Sequence, residues 1–367
     1  MKIAVVGAGT AGLYCIIDLL ESLPKFVKID LIHSRLINPI EVGESSLVNF
    51  PHALSCGVDY VHHFDSEELG STLKYGVQFK NWNKANFIPF ASGSYGIQFD
   101  TTKLPQFIIP RLHEMYSNFS EKLRTVKEIK SLGKQVSIDG EIYDFVVDCR
   151  GYPEDYSDYI ITDKVYLDSG IVVKSFTPGD WEYTYHIAHE HGWMFGIPLQ
   201  KTTGWGYLWN SSVTSELEAQ SNLVKILEEY QVEYFEQDCK QFEFKNYYAK
   251  SIVNEDGNIF LNGNRALFLE PIQATSLGCY GLINGIILDC IENKHYDHQK
   301  YSIVMDEVIK FINLHYYNGS DYDTPFWNMA QEGATEVLWD INPAEYDWKY
   351  VIDWTPQFRQ KMFESFL

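Results

Sequence analysis

Basic residues are scarce in this sequence: 29 Lys and Arg stand against 50 Asp and Glu, a formal net charge of −21 over 367 residues. A surface of that sign repels the phosphates of nucleic acid and the anionic face of a membrane, so neither is expected as a partner. Cysteine is sparse too, and Cys15, Cys56, Cys149, Cys239, Cys279 and Cys290 include no CxxC pair. That absence argues against a disulfide framework and points to reduced thiols in a cytoplasmic protein, where the Asn-x-Ser/Thr sequons at Asn118, Asn210 and Asn318 are silent. There is no HExxH. His186, His189 and His191 invite a metal reading, but Tyr185 and Ile187 favour an extended segment that aims His186 away from the other two, so no metal site is expected. At the N-terminus a Lys precedes apolar residues, as in a signal peptide, yet glycines interrupt the run and no cleavage region follows. No apolar stretch reads as a membrane span.

What the sequence does have starts at once. Met1 to Gly12 is an apolar run ending in Gly7, Gly9 and Gly12. Ile3 to Val6 reads as a buried parallel strand, and Leu13 to Leu20 as the helix that follows. In a GxGxxG turn so placed, Gly7 permits the turn, Gly9 lets backbone amides approach a pyrophosphate, and Gly12 lets the helix pack close to the sheet. Thr10 and Ala11 open the helix, whose N-terminus favours an anion. The second strand, Val27 to Ile32, should end in an acidic residue for the ribose; His33 and Ser34 stand there instead, and either can still hydrogen-bond a hydroxyl.

With 367 residues, 45% of them apolar and 15% aromatic, the chain suggests about two domains and a ring-lined interior. Val42, Gly43 and Glu44 belong to a polar loop suited to closing over a flavin or phosphate. In Ser71 to Phe79, Leu73, Tyr75, Val77 and Phe79 alternate with Lys74, Gly76 and Gln78, which as one strand puts the apolar set on one face and Lys74 on the other. Read alone, that lysine meets water. Phe107, Ile108, Leu112 and Met115 follow as a helix capped by Thr101 or Thr102, with Pro110 warning of a kink. The strand Phe145 to Val147 delivers Asp148 and Gly151 to an edge where ligands sit in open α/β sheets. Gly192 to Leu199 and Thr203 to Asn210 are aromatic strands of a second sheet, and Ser212 to Gln231 a helix. A strand near Gly257, a turn at Gly263 and Asn264, and a Glu-Pro lead to an apolar helix beginning near Thr275, another start with free N–H groups.

In order and content these stretches resemble the flavin-dependent tryptophan halogenases from end to end. The resemblance is carried by Gly7 to Gly12, Val42-Gly-Glu-Ser45, Thr72 to Trp82, Asp148-Cys-Arg-Gly151, Gly192 to Pro198, Gly206-Tyr207, Phe268 to Ser276, Phe311 to Tyr316 and Asp323 to Trp327. It implies an α/β fold: a Rossmann-like FAD-binding domain (1–50, 97–160 and 251–300) interleaved with a mixed-sheet substrate domain (51–96 and 161–250), then a C-terminal helical segment (301–367). It also implies FAD arriving as FADH2 from a separate NAD(P)H-dependent flavin reductase, with halide and molecular oxygen consumed. Hypohalous acid then passes through a tunnel to Lys74 beside a small aromatic substrate. The resemblance places FAD on Gly7, Gly9, Thr10, Ala11, Gly12, His33, Val42, Gly43, Glu44, Asp148, Gly263 and Asn264. It places halide at Thr275, Ser276, Leu277 and Gly278, and the tunnel or substrate wall at Trp193, Phe195, Pro198, Phe268, Glu270 and Pro271.

Three departures qualify it. The family's W-x-W-x-I-P is Trp193-x-Phe195-x-Ile197-Pro198, which loses an indole N–H. The family's glutamate and serine after Glu-Pro-Leu are Gln273 and Ala274. The chain is also short between Lys74 and Trp193 and after Trp327. The expectation is a halogenase using bromide or iodide on an electron-rich aromatic other than free tryptophan, or an enol, with Lys74 and Gln273 as its catalytic pair. A flavin monooxygenase, a binding protein without turnover and a homo-oligomer all stay open.

Overall fold

The computed structural model describes residues 1–34, 43–84, 86–235, 239–293, 296–346, 348 and 356–366. Lys2–Val6 is the middle strand of a five-stranded sheet ordered Ile259–Leu261, Phe145–Asp148, Lys2–Val6, Lys28–His33, Phe119–Leu123. Every neighbouring pair is parallel. The strand order runs outward in both directions from Lys2–Val6, so a crevice opens at the carboxyl ends of Lys2–Val6 and Phe145–Asp148, the switch point of a doubly wound sheet. The helix Thr10–Ser22, apolar nearly all round, lies between this sheet and the helices Asn49–Val58 and Thr275–Asn293. This is the Rossmann-like α/β half expected from the sequence.

A second, mixed sheet has seven strands, ordered Lys240–Glu243, Ser169–Ser175, Thr203–Trp209, Gly192–Pro198, Thr184–His189, Gly76–Lys80, Phe87–Pro89. Gly76–Lys80 runs parallel to Thr184–His189, and the other pairs are antiparallel. One face, with Tyr185, Met194, Trp205 and Tyr207, is covered by the helix Glu216–Glu229, whose start is fixed by a capping box between Ser215 and Glu218. The other face, with Trp193 and Ala188, joins the main core.

A small sheet of Glu44–Ser45, Gly96–Phe99 and Thr72–Lys74 joins the two halves. It corrects the reading of residues 71–79 as one strand. Thr72–Lys74 pairs with Gly96–Phe99, whereas Gly76–Lys80 belongs to the large sheet. The chain changes sheets at Tyr75, which is exposed, so the alternation slips and Lys74 is turned inward. Gly76 is required at the crossing, because a Cβ there would lie 2.3 Å from the Ile88 carbonyl oxygen.

Two smaller expectations also change. The helix Leu104–Met115 has Lys103 at its N-cap and no side-chain cap; the Thr102 N–H and hydroxyl both go to Asp100 Oδ1, at 2.9 and 2.6 Å. The helical stretch Ile272–Asn293 is long and apolar enough to cross a membrane by length and composition. Its Leu277, Ile283, Ile286 and Ile287 are buried in the main core instead. The chain continues through the helices His298–Tyr317, Pro325–Val337 and Pro356–Phe366.

Candidate active site

The glycine turn is built as a cradle. Gly7 has φ +115°, and a Cβ there would meet the Cys149 carbonyl oxygen at 2.5 Å; one on Gly12 would meet the Gly7 carbonyl oxygen at 2.0 Å. At Gly9, by contrast, no described atom lies within 4 Å of the Cβ position. Gly9 is also the N-cap of Thr10–Ser22 and makes no side-chain bond, which leaves the first N–H groups of that helix facing open space. Two tight glycines and one open glycine are what close approach of a pyrophosphate needs, so the residues present fit FAD.

The structure brings Glu44, Asp148, Gly263 and Asn264 to this turn. Thr10 hydrogen-bonds Glu44, but burial prevails and raises the Glu44 carboxyl above its ordinary value. Gly263 (φ +64°) sits so close to Ala11 that a Cβ would come within 2.6 Å of the alanine's own. The Asn264 side-chain oxygen accepts from the Tyr280 hydroxyl at 2.8 Å. Asp148 is already engaged: Arg150 reaches both of its oxygens at 2.9 Å, and Arg265 lies 3.4 Å away. His33, at the end of its strand, pairs with Glu121 at 2.8 Å. The acidic group missing from the second strand therefore stands on its neighbour Phe119–Leu123. Gly43 (φ +80°) lies against Leu199, and Val42 falls outside the described residues.

From this loop a chain of hydroxyls and an amide leads to the lysine strand. Ser45 meets Thr184 at 2.8 Å, Thr184 donates to Gln98 at 3.0 Å, Gln98 to Thr72 at 3.4 Å, and Thr72 to the Pro198 carbonyl at 2.7 Å. Lys74 follows. Its side chain is wholly buried and Nζ has no hydrogen-bond partner among the described residues. Desolvation pushes its amine from 10.5 down to about 7, and the Phe90 ring lies 5.5 Å from Nζ.

His186, whose imidazole feels the charge of Lys74, belongs to a buried cluster with Gln273 and His315. The Gln273 N–H donates to His186 Nε2 at 3.1 Å, so His186 in its neutral form carries its proton on Nδ1. Burial, with the charges of Lys74 and His315 behind it, holds that imidazole well below its ordinary value. His186 is stacked on Trp193, 4.9 Å between centroids. The Gln273 side chain is buried, and its Nε2 donates to His315 Nε2 at 2.9 Å and to Met362 Sδ at 3.3 Å. His315, pushed down to about 3 by burial, gives its Nδ1 proton to the Phe311 carbonyl at 2.9 Å, so its Nε2 can only accept. Both amide hydrogens of Gln273 are thereby used. Oε1 is left buried and without a partner among the described residues.

The backbone at this point is strained: Gln273 and Ala274 both have positive φ, 52° and 60°. Each left-handed non-glycine residue costs roughly 1–2 kcal/mol. The bond from Gln273 to His186 and that from Ala274 N to the Pro271 carbonyl at 3.2 Å offset part of this. Of the four expected halide residues, Thr275 turns both its N–H and its hydroxyl onto the Ile272 carbonyl. Ser276 donates its hydroxyl to the Leu269 carbonyl at 3.4 Å. Leu277 is buried, and Gly278 packs against Leu47.

Among the expected tunnel residues, Trp193 is fully buried and its indole N–H is spent on the Tyr316 hydroxyl at 2.9 Å; Tyr316 in turn donates to Glu270 at 2.7 Å. Burial raises the Glu270 carboxyl to about 8 against the hydrogen bonds from Tyr316 and from the Tyr166 and Leu167 backbone, so it is mostly protonated near neutrality. Phe195 is half-buried, and its ring fills the notch over Gly206. Pro198 is buried in its strand, Phe268 packs between Tyr152 and Phe244, and Pro271 leads into the strained turn. His315, Tyr316 and Met362 were given no role from the sequence. For the first two, the signal was a histidine and a tyrosine on the apolar helix His298–Tyr317.

A sequence model described as tryptophan halogenase matches residues 2–138 and 133–338. The chain belongs to that family. Tryptophan 7-halogenase RebH of Lentzea aerocolonigenes is 23% identical over 209 residues, 52% of this chain and 38% of RebH. Tryptophan 6-halogenase ThaL of Streptomyces albogriseolus is 21% identical over 435 aligned positions, covering 90% of this chain and 78% of ThaL. The match to RebH thus spans well under half of that relative. In fold, the chain is similar to Xcc4156, a flavin-dependent halogenase from Xanthomonas campestris (TM-score 0.77, 16% identity, 99% of this chain and 88% of that one). It is likewise similar to BrvH, a flavin-dependent halogenase from Brevundimonas sp. BAL3 (TM-score 0.76, 17% identity, 100% and 89%).

Proposed function

We propose that this member of the tryptophan halogenase family is an FADH2-dependent halogenase that delivers hypohalous acid through Lys74 to an electron-rich aromatic or enol, with bromide or iodide preferred. When bound at the glycine cradle, reduced FAD would supply the chemistry that turns oxygen and halide into hypohalous acid; a separate NAD(P)H-dependent reductase would supply the FADH2. Residues 1–50, 97–160 and 251–300 are assigned to FAD, 51–96 and 161–250 to the substrate, and 301–367 to a closing helical segment. Thr275, Ser276, Leu277 and Gly278 are assigned to halide.

The observation that carries this reading is the Lys74 amine, buried, without a hydrogen-bond partner among the described residues, and pushed down to about 7. A lysine buried at this cost is neutral for about half its molecules near pH 7, and only a neutral amine can take up halogen or accept a proton. The Gln273 carbonyl oxygen, on an amide held by His315, supplies a buried acceptor, and the half-buried Phe195 a ring.

The test incubates the protein with FAD, a flavin reductase, NADH and each halide over a panel of phenols, indoles, enols and benzenes, read by mass spectrometry. Halogenated product is expected for wild type. Lys74→Ala and Lys74→Arg should keep flavin oxidation and free hypohalite while losing the product, since a guanidinium offers no neutral amine. Oxygenated product alone would make the protein a monooxygenase, and FAD binding without product a binder. NADH oxidation by the pure protein would contradict the separate reductase.

A further inference from the structure

We propose that Met362 is a self-modification site: its buried thioether, in contact with Gln273, is oxidised to the sulfoxide by the protein's own hypohalous acid, and this oxidation limits the number of turnovers. The inference rests on the halogenase reading above.

Three observations carry it. Met362 Sδ lies 3.3 Å from Gln273 Nε2, and the Gln273 backbone N–H is bonded to His186, the imidazole that feels the charge of Lys74. The side chain is 1% exposed, so oxidant in bulk water reaches it poorly while oxidant released inside does not have to leave. The neighbouring imidazole of His315 and the Phe366 ring, 4.6 Å apart between centroids, are less easily oxidised than a thioether. Among the other methionines, Met1 (45% exposed) and Met115 (39%) face water, whereas Met194 and Met305 are buried. The molecule therefore contains its own control for where the oxidant comes from.

The step balances. The sulfur lone pair attacks the halogen of hypohalous acid, hydroxide leaves, water adds at sulfur and displaces halide, and two protons are lost, one of them to the hydroxide. Thioether and hypohalous acid thus become sulfoxide, halide and a proton; sulfur loses two electrons and the halogen gains them. The sulfoxide oxygen is a stronger acceptor and adds volume where Met362 and His315 both already touch the Gln273 amide. It pulls on the amide that His315 holds and presses on the helix Pro356–Phe366.

The experiment runs wild-type protein to inactivation with FAD, reductase, NADH and bromide without aromatic substrate, and maps methionine sulfoxide by peptide mass spectrometry. A parallel aliquot carries a soluble 1,3-diketone that traps free hypohalite. A third aliquot receives reagent hypobromite without turnover. During turnover Met362 sulfoxide should exceed Met115 sulfoxide by roughly tenfold or more, and with the reagent the order should reverse. Met362→Leu should raise the number of turnovers before inactivation. Trap halogenation with Met362 unmodified overturns this inference and leaves the halogenase reading standing; no trap halogenation in a flavin-oxidising sample overturns both. Oxidation of Met115 ahead of Met362 during turnover also overturns it, because the oxidant would then be acting from bulk water.

Discussion

Gln273 shows how a single atom's hydrogen-bonding state sets chemistry. Its two amide hydrogens satisfy two groups that can only accept, His315 Nε2 and Met362 Sδ. An amide so held orients a partner through Oε1 but is too weak a base to take a proton from a reacting ring. Missing general-base help typically costs a factor of roughly 10² to 10⁴. Activated rings and easily oxidised halides suffer least, so wild type should favour phenols over benzenes and bromide or iodide over chloride in competition assays. Gln273→Glu looks like a repair but is not one here. Burial would keep the new carboxyl protonated, its single O–H spent on the His315 lone pair, so Met362 loses its donor, no base is available, and Ala274 adds no hydroxyl. The variant should lose about 1–3 kcal/mol of stability and gain nothing on benzenes. Efficient chlorination of a benzene by wild type, or by Gln273→Glu at unchanged Tm, would sink this account.

At the level of elements, the glycine turn separates binding from folding. Gly12→Ala puts a methyl 2.0 Å from the Gly7 carbonyl oxygen, against backbone that cannot yield, so it should cost roughly 1–3 kcal/mol and lower Tm whether or not FAD is present. Gly9→Val fills open space and should leave the Tm of the FAD-free protein nearly unchanged while abolishing FAD binding by titration. The opposite pairing of effects would remove the dinucleotide assignment. This turn was legible in the sequence because strand, glycines and helix are contiguous, as were the aromatic strands from Gly192 and Thr203. Lys74 was not: period-two alternation assumes one strand, and the chain changes sheets at Tyr75. Nor could local pattern reveal that Asp148 is already held by Arg150 and Arg265, or that Glu121 stands beside His33. Gln273 takes its orientation from His315 and Met362, which lie 42 and 89 residues away in the chain.

Across the whole molecule, Lys74 and Glu270 are two buried groups with pKa values shifted in opposite senses, and each adds its own pH dependence to stability beside those of Asp18 and His315. Lys74 titrates near 7 when folded against 10.5 for the free side chain, so between those values the unfolded chain binds more protons and stability rises with pH; below 7 the burden is fully present. Glu270 titrates near 8 when folded against 4.5, so the folded chain binds more protons in that window and stability falls as pH rises through it. Together they fall from pH 4.5 to 7, nearly cancel between 7 and 8, and rise above 8. Each displacement corresponds to at most roughly 5 kcal/mol. Urea unfolding across pH 5 to 10 should therefore show Lys74→Met stabilised at pH 7 and without the rise above pH 8. Glu270→Gln keeps a neutral acceptor for Tyr316, so its stability relative to wild type should grow from pH 4.5 to 8 and then stay level, while the rise from Lys74 above pH 7 is retained. An unaltered rise in Lys74→Met would mean that the amine is solvated in the folded protein, and the neutral lysine on which the proposed chemistry depends would go with it.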